Sequence, residues 1–169
     1  MTRETDTSAK RPTAPRRIAE KSALKRTVRP RASSPSVRRR MQATRRRDTC
    51  GEVALRSALR SLGLRYRVDL TLPGTRRRVD IAFVREKLAV FVDGCFWHGC
   101  PLHGTWPKAN AAWWREKITM NRIRDKDTNR RLKAAGWMTL RFWEHRDSNS
   151  AARRVVEVLK ERTHARRHS

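Results

Sequence analysis

The pattern of apolar and polar positions divides the chain into a polar lead and a folded remainder. Through residue 40, large apolar side chains are almost absent among Thr, Ala, Ser, Pro, Lys and Arg. So few cannot offset the entropy of ordering the backbone, and a disordered basic tail is expected over residues 1–40. Apolar periodicity begins after Arg47. Thr49-Cys50-Gly51-Glu52 fits a capping box, and Val53, Leu55, Leu59 and Leu62 recur at helical spacing as far as Gly63, a helix stop. Alternation over residues 64–68 predicts a strand, punctuated by Leu72-Pro73-Gly74. Two apolar runs, residues 79–84 and 88–92, flank Arg85-Glu86-Lys87 as a hairpin. Pro107 opens a helical stretch through Trp113, Trp114, Ile118, Met120 and Ile123, with a break expected near residues 125–128 and a restart ending at Gly136. Residues 137–143 form the last strand candidate. Asp147 or Ser148 then caps a helix carrying Val155, Val158 and Leu159, before a basic tail over residues 164–169. This order predicts an α/β (α+β) fold, a single domain over residues 41–163 with a small mixed β-sheet flanked by helices.

Charge adds a partner to that picture. Lys and Arg number 42 against 16 acidic residues, a formal net charge of +26, which points to a polyanion and above all to nucleic acid. The basic tail is then either a sequence-blind phosphate contact or a plain solubilising extension. Three cysteines do not suggest a disulfide framework, and neither a secretory h-region nor a membrane-length apolar run is present. A cytoplasmic monomer with reduced thiols and no membrane partner is expected.

Chemistry concentrates between Asp80 and His103. A hairpin turning at Glu86-Lys87 places Asp80 directly opposite Asp93, on one face. Facing carboxylates need a cation, and Mg²⁺ suits hard oxygen donors and phosphodiester hydrolysis. The plainer reading makes Asp93-Gly94 a turn and Asp80 a solvated strand residue. Beyond it, Cys95, Cys100 and His103 form C-x4-C-x2-H, three ligands for a tetrahedral Zn²⁺. The fourth is His145, if the last strand lies beside the hairpin, or His98. With zinc satisfied by the other four, His98 becomes a candidate general base, since an imidazole's ordinary pKa is near neutral. Phe96 and Trp97 in this Gly-rich loop are either core or wedges for insertion between base steps. Of Trp113 and Trp114, one is expected to pack inward; Trp137, Phe142 and Trp143 are assigned to the core. Cys50 reads as an ordinary free thiol.

FVDGCFWHGCPLHGTWPKAN, with WWREKITMNRIRD, LKAAGW and WEH, resembles the very-short-patch-repair (Vsr) mismatch endonucleases from about Arg45 to His145. The resemblance implies a fold related to the PD-(D/E)xK nucleases, and a DNA-repair enzyme that nicks 5′ of the thymine in T·G mismatches left by 5-methylcytosine deamination. It implies Asp80 as the catalytic metal-binding aspartate and His98 as the residue that activates water. Phe96, Trp97 and Trp114 correspond to the aromatics inserted beside the mismatch. Cys95, Cys100, His103 and His145 correspond to the structural zinc set, and Glu52 to an acidic residue near the active site. Asp93 stands where some members have histidine, and Val92 where they have threonine. Partners expected are double-stranded DNA with a T·G mismatch and, as candidates, mismatch-repair proteins. A Vsr-like restriction enzyme cutting matched DNA, or an inactive zinc-stabilised DNA-binding module, are the alternatives.

Overall fold

The computed structural model describes residues 30–44, 47–72 and 77–167. Among these the elements are α1 (Pro35–Ala43), α2 (Cys50–Ser61), β1 (Arg67–Thr71), β2 (Arg78–Phe83), β3 (Leu88–Asp93), α3 (Ala111–Ala134), β4 (Met138–Trp143) and α4 (Ser148–Arg167). β1, β2 and β3 form an antiparallel meander, and β4 joins parallel to β3 after the α3 crossover, giving a mixed sheet in the order β1-β2-β3-β4. Both faces are covered. Leu55 and Leu59 of α2 and Val155 and Val158 of α4 pack with Ile81, Val90 and Phe142. Leu132 of α3 packs on the opposite face with Ala82, Ala89 and Phe91. Burial from both sides explains why β2 and β3 read as continuous apolar runs. No helix among the described residues is long and apolar enough to cross a membrane.

Thr49 caps α2 as expected, its hydroxyl accepting from the Glu52 N–H at 3.3 Å, while the return bond of the box is displaced by one residue: Glu52 accepts from the Asp48 N–H at 3.0 Å and from the Thr49 hydroxyl. Elsewhere the structure departs from the expectations. Helix α1 begins inside the stretch expected to be disordered through residue 40. Its Ser34 cap accepts from the Val37 N–H and Pro35 occupies the first turn, start signals masked by the scarcity of apolar residues. Residues 1–29 of that tail, the arginines at 45–46, Pro73-Gly74 and residues 168–169 lie outside the described residues. Strand β1 starts at Arg67, three residues later than expected, and α4 continues past residue 163 to Arg167.

Helix α3 runs 24 residues without the break expected at 125–128. Asp125, Asp127 and Thr128 resemble turn formers, but tertiary partners hold all three in the helix. Asp125 meets His98 and Arg141, Asp127 meets Arg77 and Arg131, and the Thr128 hydroxyl donates to the Arg124 carbonyl.

The hairpin register also differs. Phe83 pairs with Leu88 and Ile81 with Val90, while the Lys87 N–H donates to the Val84 carbonyl at 3.2 Å, centring the turn on Arg85-Glu86. Extending that register sets Asp80 level with Phe91. Asp93 is therefore one diagonal step from Asp80 on the same face, not directly opposite it.

Candidate active site and metal-ligand cluster

Parallel pairing of β3 and β4 delivers two chain segments to one edge of the sheet, where the register sets Asp93 beside Trp143. Two residues further along each segment stand Cys95 and His145. The Cys95 Sγ lies 3.0 Å from His145 Nδ1, and the Cys100 Sγ 3.9 Å from the same nitrogen. His103 completes the group, its ring centroid 4.2 Å from that of His145. One donor atom from each of the four falls within 4.8 Å of all the others. Two sulfurs and two imidazoles are the donor chemistry of a closed tetrahedral zinc site, so the residues fit such an ion. His98 stands outside this group. Burial pushes the Cys95 thiol up to about 11, helped by its hydrogen bond with Cys100. Burial also raises Cys100, but backbone bonds at His103 and Leu102 outweigh it and leave that thiol below its ordinary range. Gly104 is required here, because a Cβ would sit 2.3 Å from the Cys100 carbonyl oxygen. Cys50 lies apart as an exposed free thiol.

The turn between Asp93 and Cys100 is gripped by one face of α3. Asn121 Nδ2 donates to the Trp97 carbonyl at 2.8 Å, and Arg122 donates to the carbonyls of His98 and Gly99. Gly99, at φ 64°, allows this approach; a Cβ would lie 2.9 Å from the Ile118 side chain. One helical turn beyond Asn121, Asp125 Oδ2 meets His98 Nδ1 at 2.6 Å. Burial alone would raise the Asp125 carboxyl, but the His98 bond and the Arg141 charge hold it below its ordinary range. An ionised Asp125 accepts only, so in this pair His98 Nδ1 is the donor.

Asp93 is engaged on both oxygens by Arg141, at 2.7 and 2.6 Å, and lies 3.6 Å from His98. A guanidinium thus already stands at Asp93, while Asp93, His98 and Asp125 also bring one donor atom each within 4.8 Å of the others, a second group able to hold a metal ion. Asp80 differs. One of its oxygens accepts from the Val92 N–H at 2.9 Å, and no Lys or Arg among the described residues forms an ion pair with it. Burial, with added repulsion from Glu52 and Asp93, outweighs that bond and the attraction of the Arg141 charge and pushes its carboxyl from 3.8 up to about 6. Glu52 therefore lies within electrostatic reach of Asp80 while its own oxygens serve the helix cap.

That raised value carries a stability consequence. The folded protein holds the Asp80 proton more tightly than the unfolded chain, so the group favours folding below 3.8 and loses that contribution as pH rises through 6. The interval corresponds to a cost of roughly 3 kcal/mol above pH 7. Without Mg²⁺, Asp80→Asn should be more stable than the native protein at pH 8, with the gap vanishing below pH 4. Denaturant titrations of the zinc-loaded proteins in Mg²⁺-free buffer at both pH values check this, and equal stability at pH 8 would contradict it.

The three expected wedge aromatics come together. Phe96 lies edge-on to Trp97 and to Trp114, with centroids at 5.1 and 5.0 Å, and Trp113 abuts Trp114 at 4.7 Å. Trp114, 8% exposed, is the inward member of the helical pair and backs the other two. An open groove of about 1310 Å³ runs between these rings and the basic helix α1, with Arg38 and Met41 on one wall and Lys108 at its rim. Of the aromatics assigned to the core, Phe142 is buried, while Trp137 and Trp143 are half-buried.

Asp125, Arg141, Asn121 and Arg122 were not singled out from the sequence. Their signals are weak: a charged residue within the apolar alternation of β4, and polar positions spaced i, i+1 and i+4 on α3.

Residues 33–103 match the family described as DNA mismatch endonuclease Vsr. The chain is 48% identical over 124 residues to the type II nicking enzyme V.NaeI of Lentzea aerocolonigenes, covering 72% of this chain and 75% of the relative. It is 43% identical over 115 residues to the type II nicking enzyme V.XorIIP of Xanthomonas oryzae, covering 66% and 82%. To the DNA mismatch endonuclease Vsr of Escherichia coli it is 39% identical over 107 residues, covering 62% and 66%.

Proposed function

We propose, from the premise that this chain belongs to the Vsr family of DNA endonucleases, that it is a strand-specific nuclease nicking 5′ of the thymine in T·G mismatches. The observation that carries this reading is the pairing of a half-buried Asp80, without an ion pair among the described residues, with a His98–Asp125 dyad, joined through Asp93, which repels Asp80 electrostatically and lies 3.6 Å from His98.

Asp80 would hold the divalent ion, with Mg²⁺ matching its hard oxygens, and the bound ion would supply neutralisation of charge developing on the scissile phosphate. The chain's own contribution is positional. Asp125 fixes the His98 ring through Nδ1 and leaves Nε2 to take a proton from the attacking water. Asp93 remains bound to Arg141 and adds negative potential beside the ring; Glu52 adds the same beside Asp80. Cys95, Cys100, His103 and His145 would hold Zn²⁺, tying the catalytic turn to the end of β4. Phe96 and Trp97 are the wedge, with Trp114 as its backing, and the basic groove wall beside α1 receives phosphates.

Two relatives above carry names of nicking enzymes, which favours cleavage of one strand over double-strand restriction. An inactive binding module is disfavoured by the intact set of Asp80, His98 and Asp125. Labelling each strand of a T·G duplex in turn tests the assignment. The thymine strand should be cut on the 5′ side of the mismatched base and the guanine strand should stay intact. Cuts in both strands of matched DNA would support the restriction reading instead.

A further inference from the structure

Arg141 has so far served only as a counter-ion of Asp93 and Asp125, yet its guanidinium bonds three side chains around His98. It projects from β4, and its side chain is 20% exposed. Nε and Nη2 each bond one Asp93 oxygen, at 2.7 and 2.6 Å. Nη2 also lies 3.0 Å from Asp125 Oδ1, and Nη1 donates to Asn129 Oδ1 at 3.2 Å. Its guanidinium carbon stands 4.6 Å from the centre of the Phe91 ring. A single planar fork thus ties the end of β3 to one turn of α3.

The consequence for His98 follows from which Asp125 oxygen is held. Oδ1 is fixed by Arg141, which leaves Oδ2 aimed at His98 Nδ1 at 2.6 Å. A carboxylate free to rotate would share that bond among several orientations, and the imidazole would lose its fixed tautomer and direction. We infer that Arg141 is a positioning residue for the nicking reaction, acting through Asp125 on His98 and using Asp93 as its anchor. Lysine cannot replace it fully, because an ammonium lacks the flat array of donors that spans two carboxylates and an amide.

The inference rests on His98 accepting the proton, so His98→Ala is measured alongside. Single-turnover nicking of a T·G duplex with Mg²⁺ is compared for the native protein, Arg141→Met, Arg141→Lys, His98→Ala and the double variant Asp93→Asn/Arg141→Met. DNA affinity and melting temperature are measured for each. Arg141→Met should lose about 10- to 100-fold in cleavage rate at saturating DNA while its DNA affinity stays within about twofold. Arg141→Lys should recover part of that loss. The double variant removes the carboxylate left unpaired in Arg141→Met, so it should regain melting temperature while remaining slow. The ring-nitrogen NMR signals of His98 should shift in Arg141→Met. A native rate in Arg141→Met, or a double variant restored in both stability and rate, would reduce Arg141 to a counter-ion of Asp93 and overturn the inference. Full activity in His98→Ala would instead overturn the assignment of the base.

Discussion

Asp80→Ala is expected to abolish strand cleavage while leaving duplex binding within about twofold, a loss of at least about a thousandfold that corresponds to roughly 4 kcal/mol of transition-state stabilisation. The expectation rests on an imbalance of charge. Asp93 and Asp125 share Arg141, Asp127 has Arg77 and Arg131, and Asp69 has Arg47, whereas Asp80 is half-buried near Glu52 and Asp93, with only the more distant charge of Arg141 in its favour and no ion pair among the described residues. A carboxylate so placed costs stability until a cation reaches it, which is the exchange of stability for function often found at active sites. DNA affinity draws on other features, the aromatic cluster and a net charge of +26, and should therefore survive. Measuring cleavage and binding separately decides the point: retained nicking by Asp80→Ala would remove the metal centre from Asp80.

The second large effect belongs to the sulfur–imidazole cluster. Structural zinc contributes about 10–16 kcal/mol to small zinc-dependent folds, more than the net stability of many domains. Cys95→Ala should lower zinc content well below one equivalent and reduce the melting temperature by about 10 °C, taking 3–5 kcal/mol as the share lost with one ligand. The turn carrying Phe96, Trp97 and His98 starts at this residue, and the Glu144 carboxylate accepts from the Cys95 N–H at 2.7 Å, so loosening the cluster should slow nicking as well. Cys50→Ala, at an exposed thiol outside the cluster, is the control and should change neither quantity. Full zinc and an unchanged melting temperature in Cys95→Ala would contradict the structural assignment.

The parts legible in the sequence were those carried by local pattern. The capping box of α2, the two apolar runs of the hairpin and the 95–103 ligand spacing need only near neighbours, and each appears where expected. His145 was reachable because β4 lies beside β3, a single long-range guess that the apolar content of both strands supported. What escaped depends on tertiary partners. Asp125 looked like a helix break because carboxylates favour turns when nothing holds them, and only the folded chain shows His98 and Arg141 holding this one. Arg141 is a polar residue in a largely apolar strand, and nothing near it in the sequence marks its partners. The hairpin register slipped by two because Lys87 adopts φ 49° and closes a four-residue loop, a conformation uncommon for lysine.

Mismatch-directed nicking is decided by one ratio: the single-turnover cleavage rate of a T·G duplex over that of the same duplex carrying T·A at that position, both in Mg²⁺. The expected ratio is at least about a hundredfold, equivalent to roughly 3 kcal/mol, near the upper end of what one base pair contributes to recognition. Equal rates on the two duplexes, or cleavage of neither, would contradict it.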